Sequence, residues 1–354
     1  MKKKKIILII LTVVIAVPVL LLILTGIVFR EEIAIVRSIK KIDSDIPAYY
    51  MEFKNGYHLD EVISHEITTD GDIGSVVVPI ISHGFYKKSN VNVKGAGCST
   101  MAAHDKDGTM LWGRNFDWVD TVPLIIKSTP KDGYSSISTC NFTNLTNDAK
   151  VVPEGIRNAM LAIGAYYVPM DGINEKGLCV AILEVNEGGQ KIVETGKPNL
   201  TVTVAVRLLL ERAANVKEAL ALLNQYDICP TGGISSHLSL CDSSGRSVAV
   251  EFMNGENRVV ETPVVTNFNL TSSDISVGGE SPMVRYQTLM KVINQTDATL
   301  TVKDIVEAMK SVSKTEGKWT TRWTMVYSAK DGGSVDYYWN AKYNHVAANY
   351  KPAR

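Results

Sequence analysis

Apolar and polar positions separate clearly at the start of the chain, where an unbroken apolar run from Ile6 to Phe29 follows the lysine cluster Lys2–Lys5. The run contains no charged residue and is longer than the roughly 20 residues that span a bilayer. A cleaved signal peptide has a shorter apolar core of about 7–15 residues and a small-residue cleavage site, which is missing here. The pattern therefore favours an uncleaved membrane anchor over a cleaved signal.

The lysine cluster also predicts the orientation of this anchor. Because short lysine-rich flanks stay in the cytoplasm, we expect a single-pass protein of the cell membrane with its N-terminus inside. Residues 1–5 would be a cytoplasmic tail, residues 6–29 the transmembrane helix, and the remainder of the chain extracytoplasmic.

Beyond the anchor, apolar positions recur with both helical and strand periods. Helical spacing is found in three stretches, residues 30–42, 200–224 and 300–312. Strand patterns, two of them hairpins around turn residues, cover residues 179–185, 237–252 and 324–339. Strands and helices come in clusters and do not alternate strictly. This order favours an α+β fold with helices packed on antiparallel sheets.

Composition narrows the possible partners and cofactors. The chain is 45% apolar and 21% charged with a net charge of zero, which is typical of a globular protein and argues against a nucleic-acid partner. None of the five cysteines precedes residue 98, so no disulfide can tie the first 97 residues to the rest. Cys229 and Cys241 could pair with each other. No C-x-x-C or zinc-like spacing occurs, and we expect neither a metal nor another cofactor.

A predicted hairpin carries the residues with the most chemistry. With its turn at residues 105–108, the antiparallel register places Asn115 opposite Cys98, so that Arg114 and Asp117 return close to this cysteine. A slip of one residue would move every side chain to the other face. The pattern therefore predicts proximity of these groups and leaves the orientation of their side chains open.

Cys98 has the surroundings of a nucleophile but no nearby histidine. The Arg114 cation could lower the pKa of the thiol, and Asp117 could hold a protonated base, whereas His104 lies at the far end of the hairpin. If the Gly97–Cys98 bond is cut, the new α-amine has a reference pKa of about 7.7–8.0 and could serve as the base. The spacing alone is equally compatible with a buried structural cysteine.

Cys98 together with Gly113-Arg-Asn-Phe-Asp117 resembles the choloylglycine hydrolase family of N-terminal-nucleophile hydrolases. This family includes bile salt hydrolases, penicillin V acylase, acid ceramidase and N-acylethanolamine acid amidase. Three further stretches are similar to family segments in the same order, namely residues 171–178, 264–267 and 281–286. The resemblance covers about residues 98–340.

The resemblance implies a fold and a domain division. The expected fold is a four-layer α-β-β-α sandwich behind the transmembrane helix. Residues 30–97 would be a pro-segment or stalk that stays attached after autocleavage at Gly97–Cys98. Residues 98–354 would be the catalytic amidohydrolase domain.

The resemblance also implies roles for the site residues. The Cys98 thiolate would attack an amide carbonyl and form a thioester, while the α-amine carries the proton and Asp117 orients that amine. Asn267 would stabilise the oxyanion together with a backbone N–H. Arg114 and Arg285 would keep the local field positive and so favour the thiolate.

One position departs from the bile salt hydrolases. Glu184 falls where those enzymes carry an active-site Asn, and a Glu there is a feature of the ceramidase-like branch. We therefore expect Glu184 to be a neighbour of the active site and the substrate to be a small N-acyl amide with an apolar acyl part. Three alternatives stay open: a bile salt or penicillin V acylase, an acyltransferase on the same fold, and a binding protein that has lost the chemistry.

Overall fold

The computed structural model describes residues 2–43, 46–87, 97–185, 190–253, 255–272 and 280–353; of residues 2–13, 280 and 331 it describes the backbone alone. The helices are α1 (Lys2–Val28), α2 (Arg30–Ser38), α3 (Leu59–Ile63), α4 (Asp70–Ile81), α5 (Thr143–Thr146), α6 (Gly155–Ala162), α7 (Val202–Arg212), α8 (Val216–Leu223), α9 (Glu280–Thr296) and α10 (Val302–Ser311). Short 3-10 helices cover Ile163–Tyr167 and Lys330–Gly332.

The strands before residue 190 are β1 (Lys40–Lys41), β2 (Tyr49–Phe53), β3 (Gly97–His104), β4 (Met110–Trp118), β5 (Pro123–Ser128), β6 (Ser136–Asn141), β7 (Asp171–Asn174) and β8 (Cys179–Glu184). The later strands are β9 (Asn199–Thr201), β10 (Asp227–Cys229), β11 (Ser236–Cys241), β12 (Ser247–Met253), β13 (Glu256–Glu261), β14 (Val264–Val265), β15 (Thr320–Ser328), β16 (Ser334–Trp339) and β17 (Ala348–Tyr350).

These strands form a nine-stranded sheet in the order β1-β2-β5-β6-β7-β8-β11-β12-β13 and a six-stranded sheet in the order β14-β3-β4-β15-β16-β17. In the nine-stranded sheet β2 and β5 run parallel, and the other neighbouring strands are antiparallel. The six-stranded sheet is antiparallel throughout its described pairs. A small parallel pair, β9 and β10, lies apart from both. The predicted mixed α+β fold is confirmed.

Helices contact both large sheets, and the sheets contact each other. Helix α10 packs on β4 and β15, helix α7 packs on β7 and β8, and β3 touches β8 between the sheets. Polar contacts also cross from one sheet to the other: the Thr100 hydroxyl donates to Ser239 Oγ over 2.8 Å, and Trp323 Nε1 donates to Asp171 over 2.9 Å. The candidate residues Cys98, Arg114 and Asp117 lie on strand β3, which makes such inter-sheet contacts, and on its neighbour β4.

The segment between the apolar N-terminal run and Cys98 contributes strands β1 and β2 to the nine-stranded sheet. Strand β2 pairs in parallel with β5, with Tyr49 opposite Leu124 and Phe53 opposite Ser128. Met51 and Phe53 are fully buried. All five cysteines are free, including Cys229 and Cys241. Strand pairing and packing, without a disulfide, therefore attach this segment to the rest of the chain.

The apolar N-terminal helix bends where α1 meets α2. Among the residues whose side chains are described, no single helix is long and apolar enough to cross a bilayer, but Val14–Val28 and Arg30–Ser38 meet the criteria as a pair bent by 71°. The predicted transmembrane segment includes residues whose side chains lie outside the described set.

The predicted helix over residues 200–224 is divided in the structure. Residue 201 ends β9, α7 stops at Arg212 with Ala213 in an extended conformation, and α8 starts again after Asn215. The Asn215 side chain accepts the N–H of Glu218 over 3.0 Å. The break occurs because Asn competes for backbone hydrogen bonds and is a strong N-cap. Helix α10 agrees with the prediction and begins after a capping box between Thr301 and Asp304.

Candidate active site

Strands β3 and β4 form the predicted hairpin with a register one residue away from the expected one. Cys98 lies opposite Phe116 and Thr100 opposite Arg114, so the expected pairing of Cys98 with Asn115 is wrong. The reason is the turn, in which the Asp105 carboxylate accepts the N–H groups of Asp107 and Thr109, each over 2.9 Å. Thr109 thus joins the turn, and the ladder resumes one residue later.

This register determines which side chains share a face. Cys98, Thr100 and Arg114 point toward the nine-stranded sheet, because Thr100 bonds Ser239 of β11 and Arg114 bonds Asp171 of β7. Asn115 points the other way and donates to the Met309 carbonyl of α10 over 2.7 Å. The slip of one residue therefore places the thiol and the guanidinium of Arg114 on the same side.

Arg114 is completely buried between the two sheets. Its Nε lies 2.5 Å from Asp171 Oδ2, and its guanidinium donates to the carbonyl groups of Asn115 over 2.5 Å and Ile182 over 3.3 Å. Burial raises the pKa of the Cys98 thiol, while Arg114 and Arg285 act to lower it. In the uncleaved chain the thiol is therefore disfavoured as a thiolate, and the arginines reduce that penalty.

Arg285 and Asn267 contact the backbone of Cys98 directly. The N–H of Cys98 donates to Asn267 Oδ1 over 2.7 Å, and Arg285 donates to the same oxygen over 2.7 Å. Arg285 also donates to the Cys98 carbonyl and, over 2.6 Å, to Ser99 Oγ. Strand β14 pairs with β3 just before Asn267, and α9 carries Arg285. Two segments that are distant in sequence thus meet at Cys98.

Glu184 reaches the site through its backbone. Asn267 Nδ2 donates to the Glu184 carbonyl over 2.8 Å at the end of β8. The Glu184 side chain is partly exposed and has interactions of its own. The predicted neighbour of the active site is therefore adjacent to the predicted oxyanion residue.

Asp117 lies on the opposite side of the hairpin from the thiol, against residue 97. The Thr321 hydroxyl donates to Asp117 Oδ1 over 2.7 Å, and Arg285 lies 3.8 Å from Oδ2. Within the described ranges, Asp117 Oδ2 is buried and accepts no hydrogen bond. Burial raises the pKa of Asp117, while Arg285, Thr321 and Lys314 act to lower it.

Asp117 and Lys314 pack closely against Gly97 and leave little room for a side chain at this position. A Cβ at this position would lie 3.2 Å from Asp117 Cβ, 3.3 Å from Asp117 Oδ2 and 3.3 Å from Lys314 Nζ. Because these distances are tighter than ordinary contacts, any larger residue would displace the carboxylate or the ammonium. The residues just before Gly97 lie outside the described ranges.

The structure brings together all the predicted site residues and adds others. Cys98, Arg114, Asp117, Asn267, Arg285 and the Glu184 backbone form one connected cluster. Sequence reasoning missed Asp171, Thr321 and Lys314, which hold or face members of this cluster. Asp171 begins a stretch similar to the family, which is the one signal that pointed to it. In the part of the chain that is described, no three His, Cys, Asp or Glu side chains are grouped to hold a metal ion.

Known proteins resemble this chain over the same region. Residues 98–270 match the model of the linear amide C–N hydrolases, choloylglycine hydrolase family. A penicillin V acylase of Pectobacterium atrosepticum is 36% identical over 96 residues, which are 24% of this chain and 26% of that protein. The chain thus matches about a quarter of the length of this curated relative.

Solved structures extend the comparison to the fold. A penicillin V acylase from Agrobacterium tumefaciens is 18% identical, with a TM-score of 0.49 over 68% of this chain and 83% of that one. A variant of the conjugated bile acid hydrolase from Clostridium perfringens is 17% identical, with a TM-score of 0.50 over 72% of this chain and 92% of that one. At 17% identity, the similarity to the bile acid hydrolase variant concerns the fold alone. The resemblance to the choloylglycine hydrolase family of linear amide C–N hydrolases, predicted from the sequence, is therefore confirmed over residues 98–270.

Proposed function

We propose that the protein hydrolyses linear amides with the Cys98 thiolate as nucleophile, after the Gly97–Cys98 bond has been cut. One observation carries this proposal. The Cys98 nitrogen donates to Asn267 Oδ1 over 2.7 Å, and Asp117 Oδ2, which accepts no hydrogen bond within the described ranges, packs against the adjoining Gly97. Once the bond is cut, this nitrogen becomes an α-amine with an acceptor already beside it and a carboxylate at the neighbouring residue.

The proposed reaction uses the α-amine as base and then as acid. The amine takes the Cys98 thiol proton, sulfur bonds to the substrate carbonyl carbon, and the carbonyl oxygen becomes an oxyanion. Asn267 Nδ2 is the side-chain donor for that oxyanion. The carbon–nitrogen bond then breaks as the ammonium returns its proton to the leaving amine, which leaves a thioester. Water hydrolyses the thioester to a carboxylic acid and restores the thiol.

The substrate that we propose is a neutral N-acyl amide with an apolar acyl part. The apolar run of residues 6–29 supports this choice, because a membrane anchor places the site where lipophilic amides partition. Glu184 supports it as well, since a carboxylate near the site disfavours an anionic leaving amine.

A penicillin V acylase activity is the second candidate. The observation in its favour is the 36% identity over 96 residues to a protein named penicillin V acylase. Phenoxyacetyl penicillin also presents a secondary amide with an apolar acyl group. The two candidates share the nucleophile and differ in the leaving amine, which carries a carboxylate in the penicillin.

We further propose the anchored architecture expected from the sequence: residues 6–29 in the cell membrane, and an extracytoplasmic four-layer α-β-β-α sandwich. Exposed apolar side chains along α1 support the anchor, with Leu22 exposed to 72% and Ile27 to 60%. The contacts of α10 and α7 with different sheets support the layer order.

Intact-mass measurement with N-terminal sequencing tests the mechanism. Fully active protein should yield a fragment that begins at Cys98, and Cys98→Ala should abolish both cleavage and amidase activity. Cys229→Ala is the matched control, because Cys229 is equally buried but lies in the separate β9–β10 pair. Full activity in protein with an unbroken Gly97–Cys98 bond would refute the α-amine mechanism.

A further inference from the structure

Lys314 packs against Gly97, whose bond to Cys98 would be cut to release the α-amine. It lies between α10 and β15, and its Nζ is 3.3 Å from the position of a Cβ on Gly97. Asp117 Oδ2 is also 3.3 Å from that position. The Lys314 ammonium and Asp117 Oδ2 therefore lie on the same side of Gly97.

Thr321 holds both groups in place. The N–H of Lys314 donates to Thr321 Oγ1 over 2.8 Å, and the N–H of Thr321 donates to the Lys314 carbonyl over 2.7 Å. The same Thr321 hydroxyl donates to Asp117 Oδ1 over 2.7 Å. The Thr321 side chain thus connects the Lys314 backbone to the Asp117 carboxylate. Because Thr321 of β15 pairs with Asp117 of β4, the pairing of these two strands fixes the position of the Lys314 backbone.

Several charged groups near Gly97 affect the pKa of Lys314. Burial and the nearby Arg285 cation lower the pKa of Lys314, while Asp117 and Cys98 act to raise it. Among the described residues, the titratable groups near Cys98 or its partners are Asp117 and Arg114 of β4, Arg285 of α9, Tyr343 and Lys314. Glu184 of β8 contacts Asn267 through its backbone. Lys314 is the cation in this set that no sequence motif indicated.

We infer that Lys314 is a positioning residue for the base, whose cation holds the Cys98 α-amine in its neutral form. The inference rests on the proposed function, since the amine exists only after cleavage. A free α-amine has a pKa of about 7.7–8.0, so most of it would be protonated and unable to accept the thiol proton near neutral pH. A neighbouring cation disfavours the protonated form and lowers that pKa.

The test is the pH profile of kcat/KM for the full-length protein, measured per mature site from about pH 5 to about pH 9, around the α-amine reference value. The mature fraction is taken from intact mass. Without the cation the pKa of the α-amine should rise, so the acidic limb of Lys314→Met should move to higher pH by about one unit. At a pH on this limb kcat/KM should be about tenfold lower, whereas the plateau value at high pH should change little. Lys314→Arg keeps the charge and should restore the limb of the unmodified protein.

Lys318→Met is the matched control, because Lys318 lies in the same segment, is exposed and contacts the Trp319 ring. It should leave the profile unchanged. Two outcomes would overturn the inference. In the first, the acidic limb of Lys314→Met lies at the same pH as that of the unmodified protein. In the second, Lys314→Arg shifts the limb as much as Lys314→Met does. Neither outcome bears on the role of Cys98 as nucleophile.

The unmodified protein provides a second readout if Lys314→Met fails to mature. Its own acidic limb should lie below the α-amine reference value of about 7.7, and a limb at or above that value would also refute the role of Lys314. Activity in uncleaved protein is a different result, since it removes the α-amine and with it the proposed function.

Discussion

At the scale of single residues, Asn267 connects Cys98 to two other residues of the candidate site. Its Oδ1 accepts from both the Cys98 nitrogen and Arg285, and its Nδ2 donates to the Glu184 carbonyl. These bonds hold the amide plane in one orientation beside the nucleophile. A fixed donor is effective for an oxyanion because it needs no reorganisation when the charge develops.

Asn267→Ala should therefore lower kcat more than it changes KM. The oxyanion exists only near the transition state, and loss of one such donor typically costs about 2.7–4 kcal/mol, or roughly 100- to 1000-fold in kcat. Steady-state kinetics per mature site measure the effect. Asn257→Ala, at a surface amide bonded to Asn224, is the control. A raised KM with kcat intact would reassign Asn267 to substrate positioning.

At the scale of elements, the pairing of β2 with β5 joins the segment before the proposed cleavage site to the segment after it. Strand β2 precedes residue 97, β5 follows it, and their parallel pairing lies inside the nine-stranded sheet. Such a strand is held by ladder hydrogen bonds and by buried side chains such as Met51. Cutting one peptide bond outside β2 leaves these interactions unchanged.

After cleavage, the two pieces should consequently stay together. In detergent, residues 1–97 and 98–354 should co-elute on size exclusion and separate only in denaturant. Met51→Pro should release the N-terminal piece, because proline removes a ladder donor from a strand inside the sheet. Lys40→Pro in the exposed edge strand β1 should not. Separation of the unmodified pieces under native conditions would contradict the pairing.

At the scale of the whole molecule, the proposed anchor and the proposed site would together determine which amides reach Cys98. The apolar run of residues 6–29 would keep the catalytic domain beside the bilayer, where acyl chains partition. Glu184 ends β8, and its backbone carbonyl accepts from Asn267; we propose that its carboxylate acts on the leaving amine. Both features favour a substrate with an apolar acyl part and an uncharged or cationic amine.

A panel of amides should show this preference. Acyl ethanolamides should be turned over faster than glycine- or taurine-conjugated bile salts and penicillin V, when each is assayed on mature protein at one pH. Glu184→Gln should raise the relative rate on the anionic amides by about tenfold, since it removes a like charge. Asn267 contacts the Glu184 backbone, so this change leaves that contact in place. Faster release from the bile salts or the penicillin in the unmodified protein would favour the second candidate.

Several features could be predicted from the sequence because they depend on local patterns. The hairpin that returns Arg114 and Asp117 to Cys98 follows from turn residues and two adjacent strands, and α10 follows from helical spacing behind the Thr301 cap. Asn267 and Arg285 lie far from Cys98 in sequence. Their place at the site came from similarity to a family, since no spacing rule connects such distant segments.

Tertiary structure decided which supporting groups reach the site, while local turn hydrogen bonds that periodicity does not reveal decided the orientation of its side chains. The Asp105 side chain moved the hairpin register by one residue and so put the thiol and Arg114 on the same face. Asp171, Thr321 and Lys314 came to the site through strands and a loop from other parts of the chain. Periodicity specifies which side of an element is buried, but which buried groups meet depends on the pairing and packing of elements that are distant in sequence.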